Sequence, residues 1–240
     1  MVDEPASGAW NMAVDEALLE SASITRQPVL RFYSWAEPTL SLGYFQRLED
    51  RCHHEASLNC PVVRRASGGG AIVHDRELTY SFCVPVKDRL SNDVFALYRS
   101  FHETLVQILD SCHVSASLRE AAGASSRQAV FLCFQRHTNG DVLVDNRKIA
   151  GSAQRRHRGA ILQHGSILLA TSPSAPELPG IKELSGSALE ITKVATNWGQ
   201  KLAHKLEIEF RKTPLTSHEE QLVDQSLHRK FGNKQWTKRR

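Results

Sequence analysis

The stretch RRASGGGAIVHD (residues 64–75) decides how this sequence is interpreted, because it sets three consecutive glycines between two arginines and an apolar run. Consecutive glycines cost conformational entropy on folding, and they persist where a positive φ is needed or where another group approaches the main chain closely. A tight turn between two strands is the simpler explanation. Neither G-x-x-x-x-G-K-[ST] nor G-x-G-x-x-G can be read here, which argues against a standard nucleotide loop. The stretch therefore predicts two strands around a loop that is either a turn or the wall of a binding site.

Composition narrows the classes of protein to consider. With 41% hydrophobic residues among 240, the chain has the composition of an ordinary globular protein. It contains no apolar run of the roughly 18 residues that a membrane-spanning helix needs. Its start, MVDEPASGAW, lacks the basic and apolar segments of a secretory signal. We therefore expect a cytoplasmic protein without a membrane partner.

The cysteines point to a reducing compartment. They are five in number, widely spaced, and never arranged as C-x-x-C. This pattern argues against a disulfide framework and against a zinc site. Cys52, His53 and His54 are adjacent, but neighbouring ligands on one turn cannot converge on an ion without distant partners. We expect reduced thiols and no metal.

The charge is mildly basic. The formal net charge is +4, and the sequence finishes with KQWTKRR. Such a balance favours an acidic partner. Nucleic acid is one candidate, although the lysines and arginines are spread along the chain and no recognised DNA- or RNA-binding signature is present. An acidic protein fits equally well.

Helical and strand patterns interleave irregularly along the chain. Apolar residues at helical spacing predict helices in NMAVDEALLESA, with Trp10 on its buried stripe, and in RLEDRCHHEASL, NDVFALYRSFHETLVQILDSC and TKVATNWGQKLAHKL. A last helix is predicted to open with a capping box of Ser217 and Glu220. Strands are predicted in PVLRFYSW, TLSLGYF, PVVRR, GAIV, ELTYSFCV, AVFLCF, DVLVDNRKIAGSAQR, AILQHGSILLA and LEIEF, with REAAGASSRQ and TSPSAPELPG as loose segments. Without a β-α-β rhythm or repeats, the pattern predicts an α+β fold in one domain.

Reactive side chains concentrate in residues 131–169. Cys133 and Lys148 lie fifteen positions apart, which allows two neighbouring strands to bring them together. A lysine close to a cysteine favours the thiolate, the nucleophilic form. Taken alone, Cys133 lies between Leu132 and Phe134, as a buried core thiol would. Lys148 follows a predicted turn, and taken alone it would be a solvated lysine at the end of a strand. The residues by themselves leave both interpretations open.

Several motifs in order carry a family resemblance. NMAVDEALL, LRFYSW…PTLSLGYFQ, RRASGGGAIVHDRELTYSF and RKIAGSAQRRHRGAILQHGSILL together resemble the biotin/lipoate protein ligase family, in its lipoate ligase and octanoyltransferase branch. The resemblance covers roughly residues 8 to 170. It implies a single catalytic domain of that type over residues 1–240, with mixed, mostly antiparallel sheets flanked by helices.

The resemblance also implies a site. The glycine-rich stretch would line an acyl tunnel, so that an aliphatic chain slides along bare backbone. Lys148 matches the family's catalytic lysine, and donors near it would stabilise the oxyanion of a tetrahedral intermediate. His74 and His164 are expected to position groups rather than to act as bases. By this resemblance the substrate-binding residues are Arg65, Ser67, Gly68, Gly69, Gly70, His74, Gly151, Ser152, Ala153 and His164.

Two positions bear on the branch of the family. ATP-dependent lipoate ligases carry an Asn-Asp pair upstream of the lysine, and Arg136 and His137 stand at the aligned positions here. Cysteine-type octanoyltransferases carry [AS]-C-F fifteen residues before the lysine, and this sequence has LCF there, with Leu132 in place of the small residue. The resemblance therefore implies that Cys133 is the nucleophile and that Lys148 holds its thiolate and relays protons.

The implied reaction moves an octanoyl group from acyl carrier protein to a lysine of a lipoyl domain, as a step of lipoate biosynthesis. Expected partners are octanoyl acyl carrier protein and lipoyl-domain proteins, namely the glycine cleavage H protein and the acyltransferase subunits of 2-oxoacid dehydrogenases, with no nucleic acid. No cofactor is expected, because the thioester donor is already activated. Mg-ATP would enter only in a ligase.

Three alternatives stay open. The first is an amidotransferase that passes octanoyl groups between lipoyl-domain proteins with the same Cys-Lys pair. The second is an ATP-dependent lipoate-protein ligase that keeps only its catalytic domain. The third is a non-catalytic acyl-sensing binder whose basic tail touches nucleic acid.

Overall fold

Two β-sheets organise the chain, for which a computed structural model describes residues 2–87, 89–120 and 130–240. Within these residues the strands β1 to β9 are Val29–Tyr33, Thr39–Leu42, Val62–Arg64, Ile72–His74, Glu77–Pro85, Ser117–Leu118, Val142–Val144, Arg147–His157 and Ala160–Leu168. The larger sheet has the order β1-β5-β9-β8-β7-β6, and its neighbouring strands are antiparallel. The smaller sheet has the order β3-β2-β4, in which β2 is parallel to β3 and antiparallel to β4.

Strand β5 shows why the larger sheet is covered on both faces. All nine of its residues are buried. Successive side chains of a strand point to opposite faces, and accordingly Tyr80 and Phe82 belong to one hydrophobic cluster while Cys83 belongs to another. A strand buried on both sides has a nearly continuous apolar sequence, which is what ELTYSFCV provides.

Helices cover the two faces. The helices α1 to α6 of the described residues are Gly8–Thr25, Val94–Ser111, Ile181–Ser185, Ile191–Leu206, Ser217–Ser226 and Lys234–Thr237. Helices α2 and α4 pack together over one face, where Trp198 lies edge-on to Phe101 and donates its indole N–H to Thr104 Oγ1 at 2.9 Å. Helices α1 and α5 pack together over the other face. The α+β class with mostly antiparallel sheets flanked by helices is confirmed.

The prediction for Trp10 in helix α1 is wrong. The helix begins after Ser7, whose hydroxyl caps the Trp10 N–H, but the Trp10 side chain is 36% exposed. The buried side includes Met12 and Leu19. Because α1 is packed against both the sheet and α5, buried positions surround most of the helix. With buried residues around most of the helix, the apolar pattern does not show that Trp10 is the one that faces solvent.

Three other predicted elements differ. RLEDRCHHEASL forms the 3₁₀ turns Glu49–His53 and Glu55–Ser57 rather than an α-helix, because the Arg51 guanidinium binds the carbonyls that follow and turns the chain back. The described part of AVFLCF pairs only through an isolated bridge at Leu132 and then forms the 3₁₀ turn Cys133–Gln135. LEIEF forms no strand, because its apolar residues pack against the larger hydrophobic cluster without a strand partner.

The capping box of α5 lies one residue earlier than predicted. Thr216 Oγ1 accepts a hydrogen bond from Glu219 N at 3.2 Å, and the Glu219 carboxylate accepts one from Thr216 N at 2.8 Å. Both registers fit the sequence pattern, and the contact that selects this one is distant in sequence. Glu219 also accepts the Ser21 hydroxyl at 2.7 Å, which ties α5 to α1.

Other predictions are confirmed or lie outside the described residues. The helix in NDVFALYRSFHETLVQILDSC is α2, capped by Asp93, and TSPSAPELPG is a loop. Most of REAAGASSRQ falls on residues 121–129, outside the described residues. Among the helices that the structure describes, none combines the length and the apolar character needed to cross a membrane.

Candidate active site

The two arginines of the opening stretch fix the ends of a loop between β3 and β4, here called the glycine loop (residues 67–70). The Arg64 guanidinium donates to the carbonyl of Gly43 at 3.0 Å, on the neighbouring strand connection. The Arg65 guanidinium donates to the carbonyl of Gly70 at 2.8 Å. Both arginines are buried. Main-chain carbonyls, rather than carboxylates, therefore satisfy most of their donors.

Glycine is required at two places in this region. Gly69 has φ +98°, a backbone conformation that favours glycine. A Cβ at Gly43 would lie 2.0 Å from the Gly69 carbonyl oxygen, so the two backbones touch. Within the described residues, the N–H groups of Gly68, Gly69 and Gly70 have no acceptor. The loop thus presents unpaired N–H donors, the groups from which an oxyanion site is built.

A chain of hydrogen bonds leads from Arg65 to a buried carboxylate. Arg65 Nη1 donates to Ser41 Oγ at 2.7 Å, and Ser41 Oγ lies 2.6 Å from His74 Nε2. His74 Nδ1 in turn lies 2.7 Å from Glu77 Oε1. Burial lowers the pKa of His74 despite Glu77, so the neutral ring donates to Glu77 and accepts the Ser41 hydroxyl proton. The indole of Trp35 stacks on this ring with centroids 3.9 Å apart, which fixes its plane.

A second chain positions His164. Its Nε2 lies 2.5 Å from Ser67 Oγ, and its Nδ1 lies 3.4 Å from Asp15 Oδ2. Burial alone would raise the pKa of Asp15, but the hydrogen bond from His164 and the charge of Arg31 outweigh it, and the pKa is lowered. Tyr33 also donates its hydroxyl to Asp15 at 3.0 Å. The ionised Asp15 therefore orients His164, which Ser67 holds from the other side.

Cys133 packs directly against the glycine loop. Its N–H donates to the Ala71 carbonyl at 2.7 Å. A Cβ at Gly70 would lie 3.0 Å from Cys133 N, tighter than side chains normally pack, so the glycine lets the two segments meet. The residue is partly exposed. The 3₁₀ turn replaces the predicted strand, and it places the cysteine beside the loop rather than on a strand next to Lys148.

Lys148 is a buried cation with a carboxylate partner. It follows the tight turn of Asp145 and Asn146, both with positive φ, as predicted for the β7–β8 connection. Its Nζ lies 2.9 Å from Asp141 Oδ2, with the two side chains 3% and 1% exposed. A Cβ at Gly151 would lie 2.5 Å from Lys148 Cε, so this glycine makes room for the lysine. In the described residues no hydrogen bond joins Lys148 to the Cys133 thiol.

The hydroxyl of Ser152 is already committed inside the protein. His102 Nδ1 lies 2.6 Å from the Gly140 carbonyl and donates to it, since a carbonyl only accepts. Burial lowers the pKa of His102 to about 4, so the ring is neutral and its Nε2 accepts the Ser152 hydroxyl proton at 2.7 Å. Tyr80 then donates to Ser152 Oγ at 2.7 Å. The Ser152 side chain therefore has no proton left for an acyl carbonyl.

These groups surround one cavity of about 210 Å³. Among the residues predicted from the sequence, it is lined by Arg65, Gly68, Gly69, Gly70, His74, Cys133, Lys148, Gly151, Ser152, Ala153 and His164. Ser67 does not line the cavity and contacts His164 instead.

Sequence reasoning missed the carboxylates behind the cavity, which are Asp15, Glu77 and Asp141. A signal was present for one of them, because Asp15 lies in the mostly apolar segment MAVDEALL. An ionisable group in a buried segment needs a partner. It also missed Met12 and Tyr33, which line the cavity from α1 and β1.

A family model, the lipoyl protein ligase A/B catalytic domain, matches residues 7–198. The chain belongs to this family. Among its relatives is the octanoyltransferase LipM of Clostridioides difficile (strain 630), 34% identical over 97% of this chain and 95% of the relative. The octanoyltransferase LipM of Brevibacillus brevis is 31% identical over 100% of this chain and 98% of the relative.

Solved structures of the family have the same fold. Lipoate-protein ligase A bound with ATP gives a TM-score of 0.80 at 24% identity, over 99% of this chain and 97% of that one. A chain from the structure of a bi-partite lipoate protein ligase and its E2 lipoyl domain from Thermoplasma acidophilum gives 0.77 at 22% identity, over 99% and 94%. The predicted resemblance is therefore confirmed for family and fold.

Proposed function

We propose that this protein transfers an octanoyl group from the thioester of acyl carrier protein to a lysine of a lipoyl domain, through an acyl-enzyme on Cys133. Octanoyl transfer in lipoate biosynthesis is the activity that the LipM relatives support, at 34% and 31% identity over nearly the whole chain. The observation that supports the covalent route is that Cys133 and Lys148 line one cavity together with the glycine loop.

In the first half-reaction the Cys133 thiolate attacks the carbonyl carbon of the octanoyl thioester. A carbon–sulfur bond to Cys133 forms, and the carbonyl oxygen becomes an oxyanion that the unpaired N–H groups of the glycine loop stabilise. The carbon–sulfur bond to the carrier then breaks. The carrier thiolate leaves with a proton from the Lys148 ammonium.

In the second half-reaction the neutral amine of the lipoyl-domain lysine attacks the octanoyl-Cys133 thioester. A carbon–nitrogen bond forms, the bond to Cys133 breaks, and the thiolate is restored. Lys148, now neutral, takes the proton that the attacking nitrogen loses. Asp141, at 2.9 Å from Nζ, holds Lys148 in position for this proton transfer.

No cofactor takes part in this proposal. Exchange of one thioester for another is nearly isoenergetic, and conversion of a thioester to an amide is downhill. The activation that a ligase obtains from Mg-ATP is therefore already present in the donor.

The surface beside the glycine loop suits an acidic carrier. Lys238, Arg239 and Arg240 form an exposed basic cluster there, next to Arg47, which is paired with Glu49. Arg240 lies over the ring of Phe45, itself 68% exposed, and that ring lies 3.8 Å from the position of a Cβ on Gly68. Lipoyl domains of the glycine cleavage H protein and of 2-oxoacid dehydrogenase acyltransferase subunits are the proposed acceptors.

Mass spectrometry of the protein mixed with octanoyl acyl carrier protein tests the proposal, in a nucleotide-free buffer with a chelator. We expect an octanoyl adduct on the peptide that contains Cys133, released by hydroxylamine, and transfer to an added apo lipoyl domain. Cys133→Ala should abolish both. Alanine at Cys52, Cys60, Cys83 or Cys112 should leave the adduct in place.

Three results would contradict the proposal. Turnover that requires Mg-ATP and free octanoate would identify a ligase. A folded Cys133→Ala protein that transfers octanoyl groups at the parental rate would remove the acyl-enzyme. An octanoyl lipoyl-domain donor used much faster than the carrier protein would instead identify the amidotransferase.

A further inference from the structure

Arg65 is a buried cation without a carboxylate at its side. The residue is 3% exposed, and its guanidinium donates to the Ser41 carbonyl and hydroxyl and to the Gly68 and Gly70 carbonyls. All of these acceptors are neutral. Among the described residues no ion pair includes Arg65. A buried charge without a counter-charge is costly, so this arrangement favours an anion in the adjacent cavity.

The nearest carboxylate of its hydrogen-bond chain is Glu77, which is two side chains away. Ser41 and His74 stand between Arg65 and Glu77, and both are neutral. The chain therefore orients the guanidinium without neutralising it at close range.

Lys148 differs from Arg65 in this respect. Its ammonium is paired with Asp141 at 2.9 Å and also donates to the Arg136 carbonyl at 3.2 Å. A cation already paired with a carboxylate has a much reduced net attraction for a second anion.

Arg65 and Cys133 face the cavity from touching segments. Arg65 holds the Gly70 carbonyl, and a Cβ on Gly70 would meet Cys133 N at 3.0 Å. Burial lowers the pKa of Arg65, and a negative charge on Cys133 would oppose that shift. The titratable and charged side chains that share this cavity with Cys133 are Tyr33, Arg65, His74, Arg136, Lys148 and His164.

We propose that Arg65, held by the Ser41–His74–Glu77 chain, is the positioned cation that stabilises the Cys133 thiolate, and that Lys148 serves only to move protons. The inference rests on the proposed role of Cys133. It also separates two tasks that one lysine cannot perform together, since a lysine that gives up its proton loses the charge that stabilises the thiolate. Arg65 keeps its charge through the whole cycle.

Alkylation of Cys133 by iodoacetamide tests this, with peptide-resolved mass spectrometry across pH 5 to 10 so that the other cysteines do not interfere. The rate reports thiolate content and does not depend on octanoyl transfer. We expect Arg65→Gln to lower the rate at pH 7 about tenfold and to move the pH midpoint upward by about one unit. Arg65→Lys should stay within about threefold of the parental rate, because it keeps the charge.

Lys148→Met is the matched control, and it should also stay within about threefold at pH 7. A larger loss in Lys148→Met than in Arg65→Gln would overturn the proposal. So would equal losses in Arg65→Gln and Arg65→Lys, which would indicate a structural role alone.

If near-ultraviolet circular dichroism shows that Arg65→Gln does not fold, Lys148→Met decides by itself. A tenfold loss there contradicts the proposal, and a rate within threefold supports it. A separate measurement tests the acyl-enzyme proposal. If that proposal is wrong, Cys133→Ala still transfers octanoyl groups, whatever the alkylation rates of the Arg65 and Lys148 variants are.

Discussion

Lys148 and Asp141 form a buried ion pair, with 2.9 Å between Nζ and Oδ2 and side chains 3% and 1% exposed. Asp141 is itself held by the hydroxyl of Tyr98 at 3.0 Å and by the N–H of Thr138 at 2.6 Å. The carboxylate thus has two other donors that fix its orientation. The position of the lysine in the cavity depends on an aspartate that lines no part of it.

Asp141→Asn should therefore impair both stability and turnover. The substitution keeps the shape but leaves the Lys148 charge unpaired in a buried place, which costs about 3 kcal/mol in the free energy of unfolding. The rate of octanoyl transfer should fall by at least about tenfold, because the lysine loses the carboxylate that fixes its position in the cavity. Urea unfolding and single-turnover kinetics check the two effects.

The partly exposed Glu103 is the matched control. Its carboxylate lies 3.4 Å from Lys205 Nζ, with side chains 48% and 31% exposed, and 3.1 Å from Arg99 Nη2. Glu103→Gln should cost under about 1 kcal/mol and leave transfer unchanged. Equal effects of the two substitutions would show that the Lys148–Asp141 pair has no special role.

Gly68→Val should leave the protein folded but block acyl binding. A Cβ at Gly68 meets only the ring of Phe45, at 3.8 Å, so the backbone tolerates it, while the branched side chain lies at the cavity wall. Gly69→Val is a poorer test, because φ +98° makes any L-residue strained there. Transfer should fall at least about tenfold with an unchanged melting profile.

Gly199→Ala in α4 serves as control for that experiment. Its Cβ would make an ordinary contact of 3.6 Å with Phe32, away from the cavity. Transfer should be unchanged, with stability raised by up to about 1 kcal/mol. A folded Gly68→Val protein with parental transfer would mean that the glycines serve only the turn.

His102 should make the protein less stable as the pH falls. Its pKa is lowered to about 4 by burial, whereas the unfolded residue titrates near its ordinary value of about 6.5. Between these values the unfolded chain binds a proton that the folded chain does not, so the free energy of unfolding falls as the pH decreases from about 6.5 to about 4, by up to about 3 kcal/mol.

Urea unfolding at several pH values checks this, with His102→Asn expected to flatten the slope, since the amide can still donate to the Gly140 carbonyl and does not titrate. His53 is exposed, so His53→Asn should leave the slope as it is. An unaltered slope in His102→Asn would assign the pH dependence to other groups.

Features of the fold that depend on residues close together in the sequence could be predicted, and features that depend on distant residues could not. The glycine loop, the tight turn at Asp145 and Asn146, and helix α2 follow from local patterns, and the ordered motifs identify the family. The strand predicted around Cys133 is wrong because an apolar run says only that a segment is buried. Its backbone groups pair with Ala71 across a gap of about sixty residues, which no local pattern records.

The polar interior was harder to foresee than the fold. Asp15 contacts His164, and Glu77 reaches Arg65 through two intervening side chains. Such pairings join residues on different sheets and helices, so the sequence indicates that each buried carboxylate needs a partner but not which one. Lys148 is a further example, because the sequence did not indicate that its ammonium is paired with Asp141. This pairing is the reason for assigning thiolate stabilisation to Arg65.

The last prediction concerns how the acyl donor is recognised. Arg239 lies 4.5 Å over the ring of Tyr44, and Arg240 lies over the rings of Tyr44 and Phe45 beside the glycine loop. The double substitution of Arg239→Glu and Arg240→Glu reverses two charges of the basic cluster. It should raise KM for octanoyl acyl carrier protein at least about tenfold at low salt, with less difference at 0.5 M salt, where exposed charges are screened. Alkylation of Cys133 should be unchanged, because the cavity itself is untouched.

Lys201→Glu is the control, because it reverses a charge on the exposed side of α4, away from the glycine loop. If Lys201→Glu raises KM as much as the double substitution does, the carrier responds to net charge alone, and the basic cluster is not its docking surface.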